Sequence, residues 1–544
     1  MKRAACILPV VVWLLLCTAA SPASPGVHQW TASAGPLSAA ATPQPFTICT
    51  APLNQTAPAV SGDIVVWTDA RNTAASGSDI YLYDFSTGQE RAICTAPLNQ
   101  TAPAVSGDIV VWSDARNTAA SGSDIYLYDL LTGQERVICA ASGNQQFPSI
   151  SGNRIVWWDA RNAASTGSDI YMYDLTTNTE SPVCTAAGDQ SMPVVSGNRV
   201  VWRDTRNQAT TQTDIYMYDF STGTESPVCT APGEQRDPVI YGAVVLWEDM
   251  RNEAVSAQDI FMKVLPAGVE KAIVTAPGNQ GGISIWEGKV VYEDQRAMAS
   301  TGSDVYLYDL AAGAETVVST APGNQQSARI CAGTLVWRDG RNAAVSGSDI
   351  YGAYVDKTPP ETTAGGVAAG WVNHDVMVTF SAVDPADDRS GVAYTEYSID
   401  GGATWAKGGS ATLSAVGEST LKYRSADRAG NVEADRTALV RIDTGLPSTT
   451  ATKVTVKAKK TATLKFSVAD PSPCAGSATA TIEIVRAGGK LVKTLTVGTV
   501  TTNVPLTYKW KATVRKGAYT YRVLATDAAG NVATSIGSAT LKVK

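Results

Sequence analysis

One interval governs the first two thirds of this chain. A tryptophan stands at Trp67, Trp112, Trp157, Trp202 and Trp247, gives way to Tyr292, and returns at Trp337, always 45 residues apart. The aspartate two places on (Asp69, Asp114, Asp159, Asp204, Asp249, Asp294, Asp339) keeps the same step. So does the arginine two further: Arg71, Arg116, Arg161, Arg206, Arg251, Arg296, Arg341. A second marker, Asp-Ile-Tyr or a variant, starts at Asp79, Asp124, Asp169, Asp214, Asp259, Asp304 and Asp349. The stretch Ile48–Trp67 returns verbatim as Ile93–Trp112.

A fixed period of this length, holding four short apolar segments, is what a propeller blade requires. The first unit predicts strands at Pro58–Ser61, Ile64–Thr68, Ile80–Asp84 and Glu90–Thr95, joined by Ser-Gly-Asp and Ser-Thr-Gly-Gln turns. The middle strands, IVVW and IYLY, are apolar on both faces, as a sheet packed between two others must be. The seventh unit stops after its third strand, Asp349–Val355, and a matching segment without a unit of its own, Phe46–Thr50, precedes the first. That segment is expected to complete the last sheet and close the ring, leaving no free edge. The expected fold class is therefore all-β: a seven-bladed β-propeller over residues 46–356, followed by two β-sandwich domains.

Trp-x-Asp-x-Arg-Asn followed by Asp-Ile-Tyr-x-Tyr-Asp-[Leu/Phe]-x-Thr-Gly resembles the TolB-like propeller repeats of bacterial and archaeal envelope proteins. The resemblance implies the fold and a platform for binding other molecules. Residues 357–446 resemble the OmpL47-type bacterial Ig-like module through Tyr397–Trp405 (YSIDGGATW) and Tyr423–Glu433 (YRSADRAGNVE). Residues 447–544 repeat the Asp-x-Ala-Gly-Asn-Val sentence at Asp527, 100 residues after Asp427, and read as a second, basic Ig-like sandwich. Such modules act as stalks or spacers.

Alternate residues of a strand share a face, so Trp67, Asp69 and Arg71 line up together. The first reading is structural: the Asp and Arg pair and satisfy loop backbone, a staple in every blade. The second is a ring of ligand-binding arginines, Arg71 to Arg341. The longer loops, such as RNTAASGS and TAPLNQTAP, share one rim, where binding usually sits. That rim also carries Gln55, Gln100 and Gln145, which either cap backbone or bind a polar ligand. Cys49, Cys94, Cys139, Cys184 and Cys229 keep the 45-residue step, but Val274 and Ser319 follow them. A position that accepts Cys, Val or Ser is a small core site, and cysteines on different blades lie too far apart to pair.

The chain has 544 residues, more than one core can serve. Lys2 and Arg3, the apolar run Ile7–Leu16 and the small residues up to Ala23 read as a signal peptide, residues 1–23. Cys17 follows Leu16, not the Gly or Ala expected before a lipidated cysteine. Residues 24–45 read as a linker. No transmembrane segment is expected after signal removal, so the predicted location is secreted and cell-envelope associated. From Ala451 onward there are 15 Lys or Arg against 3 Asp or Glu, a net +12, so the preceding residues carry −19 of the overall −7. Lys453, Lys457, Lys459, Lys460, Lys509, Lys511, Arg515 and Lys516 are candidates for attachment to an anionic envelope polymer, or merely the surface of a basic sandwich. Nucleic acid is not an expected partner.

The two histidines, His28 and His374, lie outside the repeats, which removes histidine-based catalysis from the ring. No Gly-x-Ser-x-Gly elbow is present. Ser398–Trp405 fits an Asp-box hairpin, a structural motif. The loop with Asp384, Asp387 and Asp388 has the composition of a Ca²⁺ loop, but the reading taken is a solvated turn. The chain is thus expected to be a non-catalytic binding or scaffold protein, without cofactor or metal, whose propeller rim takes a protein, peptide or glycan. The alternative is a carbohydrate-active enzyme with an Asp/Glu site among the irregularities of the fifth and sixth blades, such as Met250, Glu253, Gly281 and Gly282.

Overall fold

The structure, a computed structural model, describes residues 43–385 and 390–544. The expected signal peptide, Cys17, almost all of the linker, and Asp387 and Asp388 lie outside the described residues. The described chain is all-β apart from one helical turn, Glu253–Ser256, and forms two compact units that meet in sequence at Gly352 and Ala353.

The repeats fold into seven four-stranded antiparallel sheets. The first is Gln55–Ser61, Ile64–Asp69, Asp79–Asp84 and Gln89–Cys94, and the others follow at the sequence interval. Both faces of the second strand are buried, so each core is shared between sheets: Val66, Ile80 and Leu82 of the first pack with Val105, Val110 and Trp112 of the second. All six motif tryptophans and Tyr292 are fully buried, and each indole stacks on an aromatic ring of the third strand, as Trp67 does on Tyr81 at 6.3 Å.

The strand Phe46–Cys49 pairs antiparallel with Asp349–Tyr354 in the seventh sheet, with Phe46 opposite Gly352 and Thr47 opposite Tyr351. Next to it the Gln55 N–H donates to the Ser348 carbonyl at 2.7 Å, and the Ser348 hydroxyl donates to the Gln55 carbonyl at 2.9 Å. The first strands of successive sheets neighbour one another, Gln325–Cys331 and Gln55–Ser61 included. This is the arrangement of a β-propeller.

The first strand begins at Gln55, three residues before the sequence pattern places it. The cause is a bulge: the register shifts between Thr56 and Ala59, and Ala57 takes a left-handed backbone with φ of 49°. The bulge lets Pro58 sit in a strand without a ladder N–H, which makes the strand look shorter in sequence.

The second unit contains two sandwiches. In the first, Glu361–Gly365, Val376–Val383 and Ser410–Leu413 face a sheet built from Val392–Ser398, Gly417–Asp427, Arg436–Ile442 and the short Ala406–Lys407. Val378, Leu421, Tyr423, Val440 and Ile442 fill the space between. In the second, Ser448–Thr452, Thr461–Ala469 and Pro505–Lys511 face a five-stranded sheet. The strand Thr461–Ala469 alternates as such a sheet must, with Ala462, Leu464, Phe466 and Val468 inside and Thr461, Thr463 and Lys465 in solvent. Asp384 departs from the solvated turn that sequence predicts: it is 5% exposed, enclosed with two other aspartates. Among the described residues no helix is long and apolar enough to cross a membrane.

Candidate functional site

The repeated residues build a staple inside each sheet. Asp69, fully buried, accepts the Trp67 indole N–H at 2.8 Å, the Arg71 backbone N–H at 2.8 Å and the Arg71 guanidinium at 2.7 Å. The guanidinium also reaches Glu90 at 2.6 Å and the Cys49 sulfur at 3.1 Å, and lies over the Tyr81 ring at 4.0 Å. Burial alone would lower the Arg71 guanidinium, but the bonds to Asp69 and Glu90 carry it above its usual value. The same set recurs at Arg116, Arg161 and Arg206. Arg251 and Arg296 hold Glu270 and Glu315 in that role, and Arg341 holds Asp339. Every candidate arginine is therefore engaged by a carboxylate of its own repeat, and Arg71, Arg116, Arg161, Arg206 and Arg251 also touch a cysteine of the preceding sheet. Gln55, Gln100 and Gln145 are fully buried, and their amides donate to loop carbonyls, as Gln55 does to Leu53 at 3.1 Å and Gln145 to Gly143 at 2.9 Å. The long loops do share one end of the sheets: Ala70 N–H donates to Asn54 O, and Ser78 N–H to the Asn99 side chain.

Individuality enters at the residue between Trp and Asp. It reads Thr68, Ser113, Trp158, Arg203, Glu248, Glu293 and Arg338. Strand alternation points it away from the staple. It meets the left-handed bulge residue of the next sheet's first strand, which reads Phe147, Met192, Asp237, Gly282 and Ser327 from the third sheet onward. Thus the Phe147 N–H donates to the Ser113 hydroxyl at 3.1 Å, the Gly282 N–H to Glu248 Oε1 at 2.8 Å, and the Ser327 N–H to Glu293. Small residues hold this ring in the first two sheets, and large or charged ones in the other five.

Within the charged part, Glu248 and Glu293 enclose Gly281 and Gly282. A Cβ at Gly281 would stand 2.6 Å from Glu248 Oε1, and one at Gly282 would collide with the Glu293 carboxylate. Burial pushes Glu248 up to about 8, with Asp237 and Glu293 adding to it. Burial raises Glu293 as well, while Arg329 and Arg338 pull it back. Arg329, where the other sheets carry Ala59, Ala104, Ser149, Val194, Val239 and Ser284, is lowered by its surroundings and supported by Glu293, Asp237 and Glu248. The result is a buried cluster of acids and arginines that displace one another's titration, a feature that functional sites often have. Of the irregularities named from sequence, Gly281 and Gly282 belong to it. Met250 directly follows the motif strand, and Glu253 opens the helical turn Glu253–Ser256.

Between the third and fourth sheets lies a separate cavity of about 330 Å³, lined by Phe147, Trp158, Ser168, Asp189, Ser191, Met192, Arg203 and Thr205. Three of the lining side chains, Phe147, Trp158 and Met192, are apolar. Arg203 Nε is buried and has no hydrogen-bond partner. The sequence signal for this site is the variable letter of Trp-x-Asp, which looks like tolerance until the bulge shows where it points.

The candidate attachment residues Lys453, Lys457, Lys459, Lys460, Lys509, Lys511, Arg515 and Lys516 are all exposed. Register adds Lys465: Thr461 lies opposite Lys511, Thr463 opposite Lys509 and Lys465 opposite Thr507, so Lys465, Lys509 and Lys511 share the outer face of one sheet.

No protein-family model matches the chain, and no curated protein matches it in sequence. Among solved structures it is similar to TolB from Acinetobacter baumannii, with 16% identity and a TM-score of 0.36 over 49% of this chain and 65% of that one. It is similar to a prolyl endopeptidase, with 13% identity and a TM-score of 0.42 over 62% and 55%. A puromycin hydrolase mutant in complex with PGG gives 10% identity and a TM-score of 0.41 over 75% and 61%. The chain spans less than two thirds of the length of each.

Proposed function

We propose that this chain is a secreted, cell-envelope-associated binding protein. In this reading a seven-bladed propeller of the TolB-like kind presents a ligand surface, two Ig-like modules serve as spacers, and the basic face of the last one docks on an anionic envelope polymer. The observation that supports it is the break in ring symmetry: the variable position turns from Thr68 and Ser113 to Trp158, Arg203, Glu248, Glu293 and Arg338, of which Trp158 and Arg203 line the cavity. Phe147, Trp158 and Met192 offer apolar lining, and Arg203 offers an unspent donor. A peptide segment with a bulky apolar side chain next to a carbonyl or carboxylate matches that pairing. The test is a peptide and glycan array probed with the full chain and with Trp158→Ala. At least a tenfold loss of peptide binding, about 1.4 kcal/mol, is expected. Unchanged binding by the variant removes the reading, and binding to glycans alone replaces the peptide with a sugar.

A second reading, a carbohydrate-active enzyme, is favoured by one observation: Glu248, pushed up to about 8, is protonated at neutral pH as a general acid must be. Reducing-sugar release that is lost in Glu248→Gln would establish it, while binding without release favours the platform.

A further inference from the structure

We infer that each sandwich carries a Ca²⁺ site at its leading end, built from three aspartates far apart in sequence. In the second sandwich these are Asp443, in the connector after Arg436–Ile442; Asp470, directly after Thr461–Ala469; and Asp527, the last residue of Gly517–Asp527. In the first they are Asp356, Asp384 and Asp427, which occupy the corresponding places after Asp349–Tyr354, after Val376–Val383 and at the end of Gly417–Asp427. Within each trio one carboxylate oxygen per residue lies within 4.8 Å of the other two. Oxygens bound to one calcium at about 2.3–2.6 Å stand at most about 5 Å apart, whereas magnesium at about 2.0–2.1 Å draws them inside about 4.2 Å.

Proximity of acids is not itself a site; the second observation is what their oxygens lack. Asp470 is 3% exposed, and neither of its carboxylate oxygens has a hydrogen-bond partner. Asp443 is fully buried with Oδ2 unpartnered, and Asp384 keeps Oδ1 unpartnered. An ionised carboxylate enclosed without a partner is destabilising, and a divalent cation among three of them offsets that cost. Desolvation and the neighbouring carboxylates push Asp384 and Asp470 up to about 6.

The Asp-x-Ala-Gly-Asn turn prepares the geometry. Asn531 donates its backbone N–H to Asp527 Oδ1 at 2.7 Å and its side-chain amide to Asp527 Oδ2 at 2.8 Å. The same amide donates to the Asp443 carbonyl at 2.8 Å, drawing the connector to the turn. Asn431 repeats all three bonds, to Asp427 at 2.8 Å twice and to the Asp356 carbonyl at 3.1 Å. Each Asp oxygen bonded in this way retains a lone pair for a cation. All donors in the two trios are hard oxygens, which suits calcium over zinc. In the second trio the cation would tie the connector between the sandwiches to the body of the second.

The experiment uses the full chain, stripped with EDTA and titrated with calcium by equilibrium dialysis, with melting followed by calorimetry. Two ions per chain are expected, with dissociation constants at or below about 1 mM, and a calcium-dependent rise in Tm. Asp470→Asn should bind one ion fewer and lose part of that rise. In EDTA it should melt no lower than the parent, because it removes a buried acid, and this separates loss of a ligand from loss of the fold. No bound calcium at about 1 mM, or an Asp470→Asn chain with full stoichiometry, would overturn the assignment. A parent chain that binds one ion in all, and none as Asp470→Asn, would overturn the first-sandwich site alone. An equal Tm rise with magnesium would overturn the choice of cation.

Discussion

Asp204 accepts the Trp202 indole, the Arg206 backbone N–H and the Arg206 guanidinium at 2.7 to 2.9 Å, and no part of it reaches solvent. Asp204→Ala leaves the buried Trp202 indole N–H without its acceptor and the half-buried Arg206 guanidinium with Glu225 as its one carboxylate, so a loss of about 2–3 kcal/mol is expected in urea unfolding. Cys49, Cys94, Cys139, Cys184 and Cys229 sit against the same guanidinium groups, which favour thiolate, yet burial outweighs them and pushes each thiol up to about 12. These five are expected to resist alkylation at pH 8 in the native chain and to react on unfolding; mass spectrometry of the labelled protein reads the outcome. Glu248 gives a pH signature. Its folded value of about 8 lies above the ordinary 4.5 of glutamic acid, so its contribution to stability is complete below about pH 4.5 and is lost as pH rises through about 8. Tm should fall across that window, and less steeply in Glu248→Gln. The staple is legible in the sequence because it recurs, and recurrence is the mark of a structural part. Glu248 and Glu293 are not legible as a pair, because they lie 45 residues apart on different sheets and only the bulge at Gly282 brings them together.

Elements carry the closure. The outer edge of Asp349–Tyr354 is covered by Phe46–Cys49. Removing residues 43–49 should therefore lower Tm and expose a ladder edge that associates with other chains, seen as oligomers in size-exclusion chromatography. That pairing is legible because the seventh repeat is one apolar segment short and a spare one precedes the first. The bulges are not legible: left-handed backbone at Phe147, Met192 and Asp237 belongs to no residue preference that a single sequence displays. The aspartate trios escape for a different reason, since Asp443, Asp470 and Asp527 come from a connector and two strand ends with no common spacing.

For the whole molecule, charge is divided by domain. The last sandwich gathers Lys465, Lys509 and Lys511 on one sheet face, with Lys457, Lys459 and Lys460 in the turn that leads into it, where the Lys459 N–H meets the Ala512 carbonyl. Retention on an anionic wall polymer should fall steeply with salt, because exposed charges are screened over about 10 Å at 0.1 M. It should fall likewise in the double variant Lys509→Glu, Lys511→Glu. Equal retention by that variant in an envelope-binding assay removes the docking role. The excess of lysine is plain in composition, but its gathering on one face is not; Lys465 joins the group only through strand register.

The clasp of the ring is split between the two ends of the array, one strand from before the first repeat and three from the last. Unequal exchange between near-identical stretches such as Ile48–Trp67 and Ile93–Trp112 inserts or deletes whole periods. Both halves of the clasp survive such an event, so a lineage can change the circumference of its ring in a single genetic step and still finish with a sealed circle.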